Sequence, residues 1–464
     1  MKKVIYSLSI AVAASSFVLT SCSREFTETQ FFQEEIATPV TTVEQLESFV
    51  RGSYAKMRST NYLGSLYRGY AQIHTDETYC TQYSGRNVQW ATYTFTSLSG
   101  DPENTWYSIY QTVGNANIVI NSSDNLTLAG QSGTAAIANR IKDLKGQAYA
   151  VRALAFFDLL RLYGQEYSGG TVGVVLPTIY NPNAKMGRAT VAETRAQIES
   201  DFANALANIG TSASTGSTSI NVNAVKALMS RYYLYTGDYT KAAAYAEEVI
   251  SSGTYSVVPS GDFATSFTKA GGVNSIFELA LGLNGALGTT SYDYLMNPRG
   301  YANIAVLPSL VSSYADADVR KNVIVQDDEY YLAGKFSDLT GATNIKLIRY
   351  EEVLLNAAEA YLSTNPTKSL EYYNQIVTNR GLSAVSVVTL DMIKEERKKE
   401  LAGEGFRYWD LLRWGETIPY YTSAGVRDSS KDKKIGDKLL TFPIPQSETN
   451  VSGSLVVSNP GYDN

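Results

Sequence analysis

The stretch NAVKALMSRYYLYTGDYTKAAAYAEEVISSG, residues 223–253, decides the fold because its pattern predicts two helices packed against each other. The residues that recur at helical spacing are Ala227, Leu228 and Tyr232 before a glycine, and Tyr239, Ala243, Ala246 and Ile250 after it. Gly237 lies where the chain must turn between the two helices. Small residues let the helices approach closely, and the large residues fill the space next to the following pair.

A second stretch, RYEEVLLNAAEAYLSTNPTKSLEYYNQIVTNRG at residues 349–381, repeats this scheme with a turn at Asn365-Pro366. Both stretches have the length and small-residue pattern of a tetratricopeptide-like unit of about 34 residues. They lie far apart along the chain, so the sequence does not predict a regular tandem solenoid. Further helices are predicted at 42–58, 103–122, 138–163 and 190–208.

Two long segments, near 60–100 and 254–345, lose the helical period. Within the second, VNSIFELALGLNG alternates like a strand, and the rest is rich in tyrosine and reads as loop. No long linker divides the chain of 464 residues, so one compact body is expected. We predict a mainly α fold in which a helical frame carries two irregular insertions.

The amino terminus, MKKVIYSLSIAVAASSFVLTSC, has two lysines, an apolar run and small residues before Cys22. This pattern predicts an export signal at 1–21, and LTSC is typical of a bacterial lipoprotein in which Cys22 is lipidated. The alternative is an ordinary signal peptide with a chance cysteine. Lipidation would anchor residues 22–464 to a membrane without a span, with 23–40 as a tether.

Several function classes are disfavoured by composition. His74 is the only histidine, which argues against Ser-His-Asp catalysis and multi-histidine metal sites, and it is expected at the surface or in a loop. If Cys22 is lipidated, only Cys80 remains, so neither an internal disulfide nor a thiolate zinc cluster is expected. The formal charge of −6 argues against nucleic acid as a partner. No cofactor and no metal are predicted.

The stretch ERKKELAGEGFRYWDLLRWG, residues 396–415, is dense in charged and aromatic residues. It predicts a helix with Asp391 as N-cap, ended by Gly403 and Gly405, and then a second short helix. A glycosidase would need two facing carboxylates, one of them with a raised pKa. Here each acid has a basic residue within one turn, which lowers carboxylate pKa values. The favoured interpretation is a structural ion-pair network formed by Glu396, Arg397, Glu400, Glu404, Arg407, Asp410 and Arg413.

The same stretch resembles the carboxy-terminal signature of the SusD/RagB family of nutrient-binding outer-membrane lipoproteins, ER-x-x-EL-x-x-EG-x-R-x-x-DL-x-R-x-G. WYSIYQTVGNANIVI resembles the family's Trp-x-x-x-Tyr helix, and KGQAYAVRALAFFDLLRLYG, which contains Arg152 of the structural network, resembles its Arg-Ala helix. MGRATVAETRAQIESDFANAL resembles the following helix, and FPIPQSETNVSGSLVVSNPGY resembles the closing tail. The signature region runs over 391–464.

The resemblance implies eight helices in four tetratricopeptide-like pairs, with loops holding a ligand on one face. It also implies a partner, a TonB-dependent SusC-like transporter barrel, and an outer-membrane location facing the cell exterior. Ser23-Arg24-Glu25 is less acidic than the surface-export signal that such lipoproteins often carry. The chain is also short for the family, which suggests trimmed loops and a small ligand.

A sugar site needs aromatic platforms and polar side chains that hydrogen-bond hydroxyl groups. The tryptophan outside the helical motifs is Trp90, in the first insertion. The candidate ligand-binding residues are Asp76, Tyr83, Arg86, Asn87 and Trp90 in the first insertion, and Tyr292, Tyr294, Arg299 and Tyr301 in the second. The alternative is that both insertions are ordinary loops whose aromatic rings are half-buried and bind no ligand. The predicted function is oligosaccharide capture for the transporter; an oligopeptide-binding member of the family and a secreted hydrolase are the alternatives.

Overall fold

The structure is a computed structural model and describes residues 39–210, 216–451 and 453–462. The predicted signal sequence, the predicted lipidation site at Cys22 and nearly all of the predicted tether at 23–40 lie outside the described residues.

Helices make up most of the regular structure. They are α1 Val43–Met57, α2 Leu66–Ile73, α3 Val88–Ala91, α4 Gly100–Ile120, α5 Ala135–Tyr163, α6 Val191–Asn208, α7 Val222–Thr236, α8 Tyr239–Ser251, α9 Phe263–Ser266, α10 Tyr292–Leu295, α11 Pro308–Ser313, α12 Tyr350–Tyr361, α13 Pro366–Thr378, α14 Leu390–Glu400, α15 Arg407–Arg413 and α16 Gln446–Thr449. Short 3-10 turns lie at Ser260–Asp262, Leu283–Gly285, Gly288–Thr290, Val319–Val323, Ser429–Lys431 and Lys438–Leu440. The fold is mainly α, as predicted.

The eight longest of the described helices pack as four pairs, α1 with α4, α5 with α6, α7 with α8, and α12 with α13. Gly237 ends α7 with φ +80° and has open space around it, so the chain reverses there at little cost. Ala227 and Ala246 are fully buried, which lets α7 and α8 approach closely. The tetratricopeptide-like arrangement is confirmed.

The two units recognised in the sequence are neighbours in space, because α8 packs against α12. Their separation along the chain comes from the second insertion, which leaves the frame after α8 and returns before α12. The helical stack is therefore continuous across this junction, although the sequence did not read as a tandem array.

In the part of the chain that the structure describes, six short strands form two sheets. They are β1 Thr78–Cys80, β2 Ser275–Leu279, β3 Ile304–Val306, β4 Val325–Gln326, β5 Tyr330–Tyr331 and β6 Ile345–Arg349. The order in the larger sheet is β1-β3-β5-β4, and β2 pairs with β6 in the other. The strand predicted in VNSIFELALGLNG is β2, whereas the first insertion is less irregular than predicted, because it contains α2, β1 and α3.

The helix that leads into the charged signature stretch is capped two residues earlier than the sequence suggested. Thr389, not Asp391, caps α14, since its hydroxyl accepts the Met392 N–H. Gly403 then has φ +77°, and a side chain there would meet Leu332 and Phe336. Only glycine fits this position, and the chain turns there toward α15.

Glu400 is the centre of a buried ion-pair network. Its carboxylate accepts hydrogen bonds from Arg349 and Arg380 at 2.7 to 2.9 Å, and Arg320 lies 3.2 Å away. Burial alone would raise the pKa of Glu400, but the Arg380, Arg349 and Arg320 charges outweigh burial and hold it well below its usual value. Glu404 pairs with Arg349 and is held at a pKa of about 2 by the same balance.

The remaining members of the predicted network also lie in ion pairs. These are Glu396 with Arg320, Arg397 and Arg413 with Asp410, Arg407 with Asp76, and Arg152 with Asp201 on the α5–α6 pair. Several partners come from outside the signature stretch, so the network ties the carboxy-terminal region to both insertions and to the frame.

His74 lies in the core and not at the surface. Its ring stacks on Tyr93 at 4.0 Å, and burial lowers its pKa to about 4, so it is neutral at pH 7. Cys80 is a free, buried thiol. Across the described residues, no helix is both long and apolar enough to span a bilayer.

Candidate functional site

Strand pairing brings the two insertions together. β1 of the first insertion pairs antiparallel with β3 of the second, so Tyr79 lies opposite Ala305 and Cys80 opposite Ile304. The loop after β1 therefore lies beside the loop before β3. More than two hundred residues separate these loops along the chain, and the sheet places them on one surface.

Hydrogen bonds lock the two loops to each other. The Asn87 side chain donates to Asn303 Oδ1 at 2.7 Å, Asn303 donates to the Arg86 carbonyl at 2.9 Å, and the Thr81 hydroxyl donates to the Ala302 carbonyl at 2.6 Å. Asn87 and Ala302 have φ values of +56° and +49°, a conformation that is strained for a residue with a side chain. The strain falls where the loops meet, and such strain is typical of a site whose geometry must be held.

Arginine and tyrosine side chains then form a partly exposed cluster. The Arg86 guanidinium lies over the Tyr301 ring at 4.2 Å from its centroid, and Tyr301 packs edge-to-face with Tyr294 at 4.8 Å. Hydrogen bonds to Thr289 and Arg86 lower the pKa of the Tyr301 phenol. The first insertion supplies the cation and the second supplies the rings.

Tyr83 is a further exposed ring in the loop that carries Arg86. Its side chain is 57% exposed, and a hydrogen bond with Asp328 raises the pKa of its phenol. Asp328 also accepts a hydrogen bond from Tyr331 on β5 at 3.0 Å. An exposed ring beside a fixed carboxylate can stack against a sugar face while the carboxylate accepts from a hydroxyl group.

Trp90 is not part of this cluster. The side chain is 2% exposed and is enclosed by aromatic rings of Tyr70, His74, Tyr93, Phe95, Tyr408 and Phe442. Its indole N–H donates to the Tyr70 carbonyl at 3.0 Å. The prediction that Trp90 is a stacking platform is wrong, because no face of the ring is open to a ligand.

Three more predicted ligand contacts have structural partners instead. Tyr292 is 1% exposed and donates to the Gly403 carbonyl at 2.9 Å. Both oxygens of Asp76 accept hydrogen bonds from Arg407, at 2.6 and 2.9 Å. Asn87 is buried, and its side chain is bonded to Asn303 between the two loops. The predicted residues that remain open are Tyr83, Arg86, Tyr294, Arg299 and Tyr301.

Thr289 and Asp328 belong to the surface but were not predicted. Each lies in a turn or hairpin with no local motif, and only the fold brings Thr289 to Tyr301 and Asp328 to Tyr83. No sequence signal marks them.

The two carboxyls with the most raised pKa values, Glu77 and Asp293, owe the rise to burial. Burial raises the pKa of Glu77 to about 7, but this carboxyl accepts from Gln72 and Gly403 inside the core. Burial likewise raises the pKa of Asp293 to about 6, where the charge of Arg68 opposes the rise. Among the described residues, no three His, Cys, Asp or Glu side chains are grouped so that they could hold a metal ion.

Comparison with known proteins agrees with this architecture. The family model described as SusD family matches residues 320–462, and the model described as starch-binding associating with outer membrane matches residues 31–234. SusD-like protein P2 of Formosa agariphila is 24% identical over 91% of this chain and 93% of its own length.

Solved structures show the same fold. A SusD superfamily protein from Bacteroides thetaiotaomicron superposes with a TM-score of 0.80 at 26% identity, covering 90% of this chain and 100% of its own. A laminarin-binding SusD-like protein superposes with a TM-score of 0.73 at 22% identity, covering 91% of this chain and 100% of its own. The chain therefore belongs to the SusD/RagB family, a carbohydrate- and starch-binding family.

Proposed function

We propose that this protein captures an oligosaccharide on the surface formed by Tyr83, Arg86, Tyr294, Arg299 and Tyr301. The observation that carries the proposal is the partly exposed cluster in which Arg86 lies over Tyr301 and Tyr301 packs against Tyr294. No catalytic step is proposed at this surface.

The chemistry of the cluster suits sugar rings. A pyranose presents an apolar face with hydroxyl groups at its edge, so an aromatic ring can cover the face while a guanidinium or carboxylate bonds the edge. Tyr301 and Tyr83 offer the rings, and Arg86 and Asp328 offer a donor and an acceptor beside them. The hydrogen bond between Asn87 and Asn303 holds the two loops, and therefore these groups, in place before a ligand arrives. This reduces the conformational entropy lost on binding.

Delivery completes the proposed role. Lipidation at Cys22 would hold the protein on the outer membrane, facing the exterior, where it would pass the oligosaccharide to a TonB-dependent SusC-like barrel. This part rests on the sequence LTSC, on the family, and on the matching model described as associating with the outer membrane.

The test of ligand capture is calorimetry with a glycan panel. The panel should include laminarin, because a solved member of the family binds it. Tyr301→Ala removes one ring and the support of Arg86, so affinity for the bound glycan should fall by about three- to tenfold. Tyr239→Ala is the matched control, since Tyr239 is an exposed tyrosine on α8 of the frame. Equal binding by the wild type, Tyr301→Ala and Arg86→Ala would remove the site from this surface.

The peptide alternative is tested in the same experiment. An oligopeptide panel run beside the glycans should give no binding that Tyr301→Ala weakens. If peptides bind and glycans do not, and Tyr301→Ala weakens the peptides, the ligand class proposed here is wrong.

The anchor is tested separately. Cys22→Ala should move the protein from the membrane fraction to the soluble fraction, because the acyl chains supply the membrane affinity. Retention of the variant on membranes after a high-salt wash would contradict lipidation at this residue.

A further inference from the structure

Arginine charges in this protein are mostly neutralised within the fold. Most of the arginines that the structure describes form ion pairs with Asp or Glu side chains. The described arginines that form none are Arg58, Arg68, Arg86, Arg188 and Arg299. Arg58 and Arg188 donate to backbone carbonyl groups instead. Arg68 lies over the Tyr292 ring at 4.1 Å from its centroid.

The other two, Arg86 and Arg299, belong to the proposed oligosaccharide surface. Both are exposed, and they come from different insertions. Arg299 lies two residues before Tyr301 in the chain, and the Arg86 guanidinium lies over the Tyr301 ring. Burial raises the pKa of the Asp101 carboxyl and the Arg86 charge opposes that rise, but no ion pair joins these two groups. The fold thus brings two positive charges without a carboxylate partner to one ring.

The Arg86 side chain is held in position before a ligand binds. Its guanidinium lies 4.2 Å from the centroid of Tyr301 and hydrogen-bonds with the Tyr301 phenol, while its backbone carbonyl accepts from Asn303 at 2.9 Å. A guanidinium that is already ordered loses less conformational entropy on binding than a free surface arginine. A ligand that approaches this face of the tyrosine meets a cation and not a bare ring.

The carboxylates of the neighbouring β-hairpin are bonded to tyrosine hydroxyl groups. Asp328 accepts a hydrogen bond from Tyr331 at 3.0 Å and another from Tyr83. Glu329 accepts a hydrogen bond from Tyr79. These acids therefore leave the two arginine charges uncompensated, although the whole chain has a net charge of −6.

A guanidinium matches an anionic group better than it matches a hydroxyl group. Its N–H groups form parallel hydrogen bonds to two oxygens of a carboxylate or a sulfate, and such charge-assisted bonds are about twice as strong as neutral ones. A neutral sugar offers only hydroxyl groups, which the uncharged amides of Asn and Gln can bond equally well. Two arginines without carboxylate partners on a ligand surface therefore favour a ligand that carries negative charge.

We propose that the oligosaccharide captured at this surface is anionic, and that Arg86 and Arg299 bind its uronate carboxylate or sulfate ester. This inference rests on the proposed function and narrows it to one class of glycan. In a uronic acid the carboxylate lies at the edge of the pyranose ring. An aromatic side chain can therefore cover the face of the sugar while a guanidinium bonds the carboxylate.

The test compares glycans that differ only in charge. One pair is the linear trimer of galacturonic acid and its carboxyl-reduced form, and the other is a sulfated galactose tetrasaccharide and its desulfated form. Calorimetry with the purified protein should show at least one anionic member binding at least tenfold more tightly than its neutral partner. The pair that shows this difference identifies the anion as a carboxylate or a sulfate.

Substitutions then test the two arginines. Arg86→Gln and Arg299→Gln should each lower the ratio of anionic to neutral affinity by about three- to tenfold, and the double variant should bring it to about one. Arg86→Lys should keep part of the ratio, because an ammonium retains the charge but cannot form the paired bonds. Arg51→Gln is the matched control, since Arg51 is an exposed arginine on α1. All the changed side chains are exposed, so these variants should melt like the wild type.

The outcomes distinguish this inference from the proposed function. If a neutral glycan binds as tightly as its anionic partner and Tyr301→Ala weakens both, the oligosaccharide surface stands and the anionic class is wrong. An affinity ratio that the double variant leaves unchanged would overturn the assignment to Arg86 and Arg299. If no glycan of either charge binds, or if Tyr301→Ala leaves every affinity unchanged, the proposed function fails and this inference fails with it.

Discussion

Replacing Trp90 by alanine should damage the fold and not the ligand-binding chemistry. The ring is 2% exposed and lies among Tyr70, His74, Tyr93 and other aromatic residues, so its removal leaves a large cavity. Truncation of a buried tryptophan costs about 3–5 kcal/mol. Loss of the indole hydrogen bond to the Tyr70 carbonyl adds about 1 kcal/mol.

Scanning calorimetry of the purified variant is the assay. The melting temperature of Trp90→Ala should fall far below that of the wild type, with Trp90→Phe between the two because it restores part of the volume. Val88→Ala, on the exposed side of the same short helix, should melt like the wild type. A Trp90→Ala protein that melts like the wild type but has lost glycan binding would refute the packing argument and return Trp90 to the ligand surface.

Three other substitutions test the fold. Glu400→Gln keeps the shape of the side chain but leaves Arg349 and Arg380 short of negative charge, so thermal unfolding should show a loss of about 3–5 kcal/mol. Glu77→Gln should raise the melting temperature at pH 8 but not at pH 4.5. The pKa of this carboxyl is about 7 in the folded protein and 4.5 in the unfolded chain, so the neutral acid favours folding below pH 4.5. That contribution, up to about 3 kcal/mol, is lost as the pH rises through 7. Equal pH dependence of variant and wild type would contradict that shift. Gly237→Ala places a side chain at positive φ and should cost about 1 kcal/mol by the same assay; no loss would mean that α7 ends differently.

The helical frame could be predicted because its signals are local. Residues 222–251 and 350–378 fold into the expected helix pairs, since apolar spacing, small residues and turn residues act within one or two helical turns. The charged residues of the ion-pair network could also be predicted from local spacing along the chain. The partners of Glu400 could not, because Arg349 and Arg380 lie outside the signature stretch and reach it only in the folded chain.

The candidate site also divides into features that the sequence predicted and features that only the folded chain determined. From the sequence alone came the two insertions, their excess of tyrosine, and the inclusion of Arg86 and Tyr301 among the candidates. Only the tertiary structure decided that β1 pairs with β3, that Arg86 thereby reaches Tyr301, and that Trp90 turns inward. Periodicity reports which face of a helix is buried, but a loop has no period, so whether its ring is buried or open depends on contacts with segments distant in the chain.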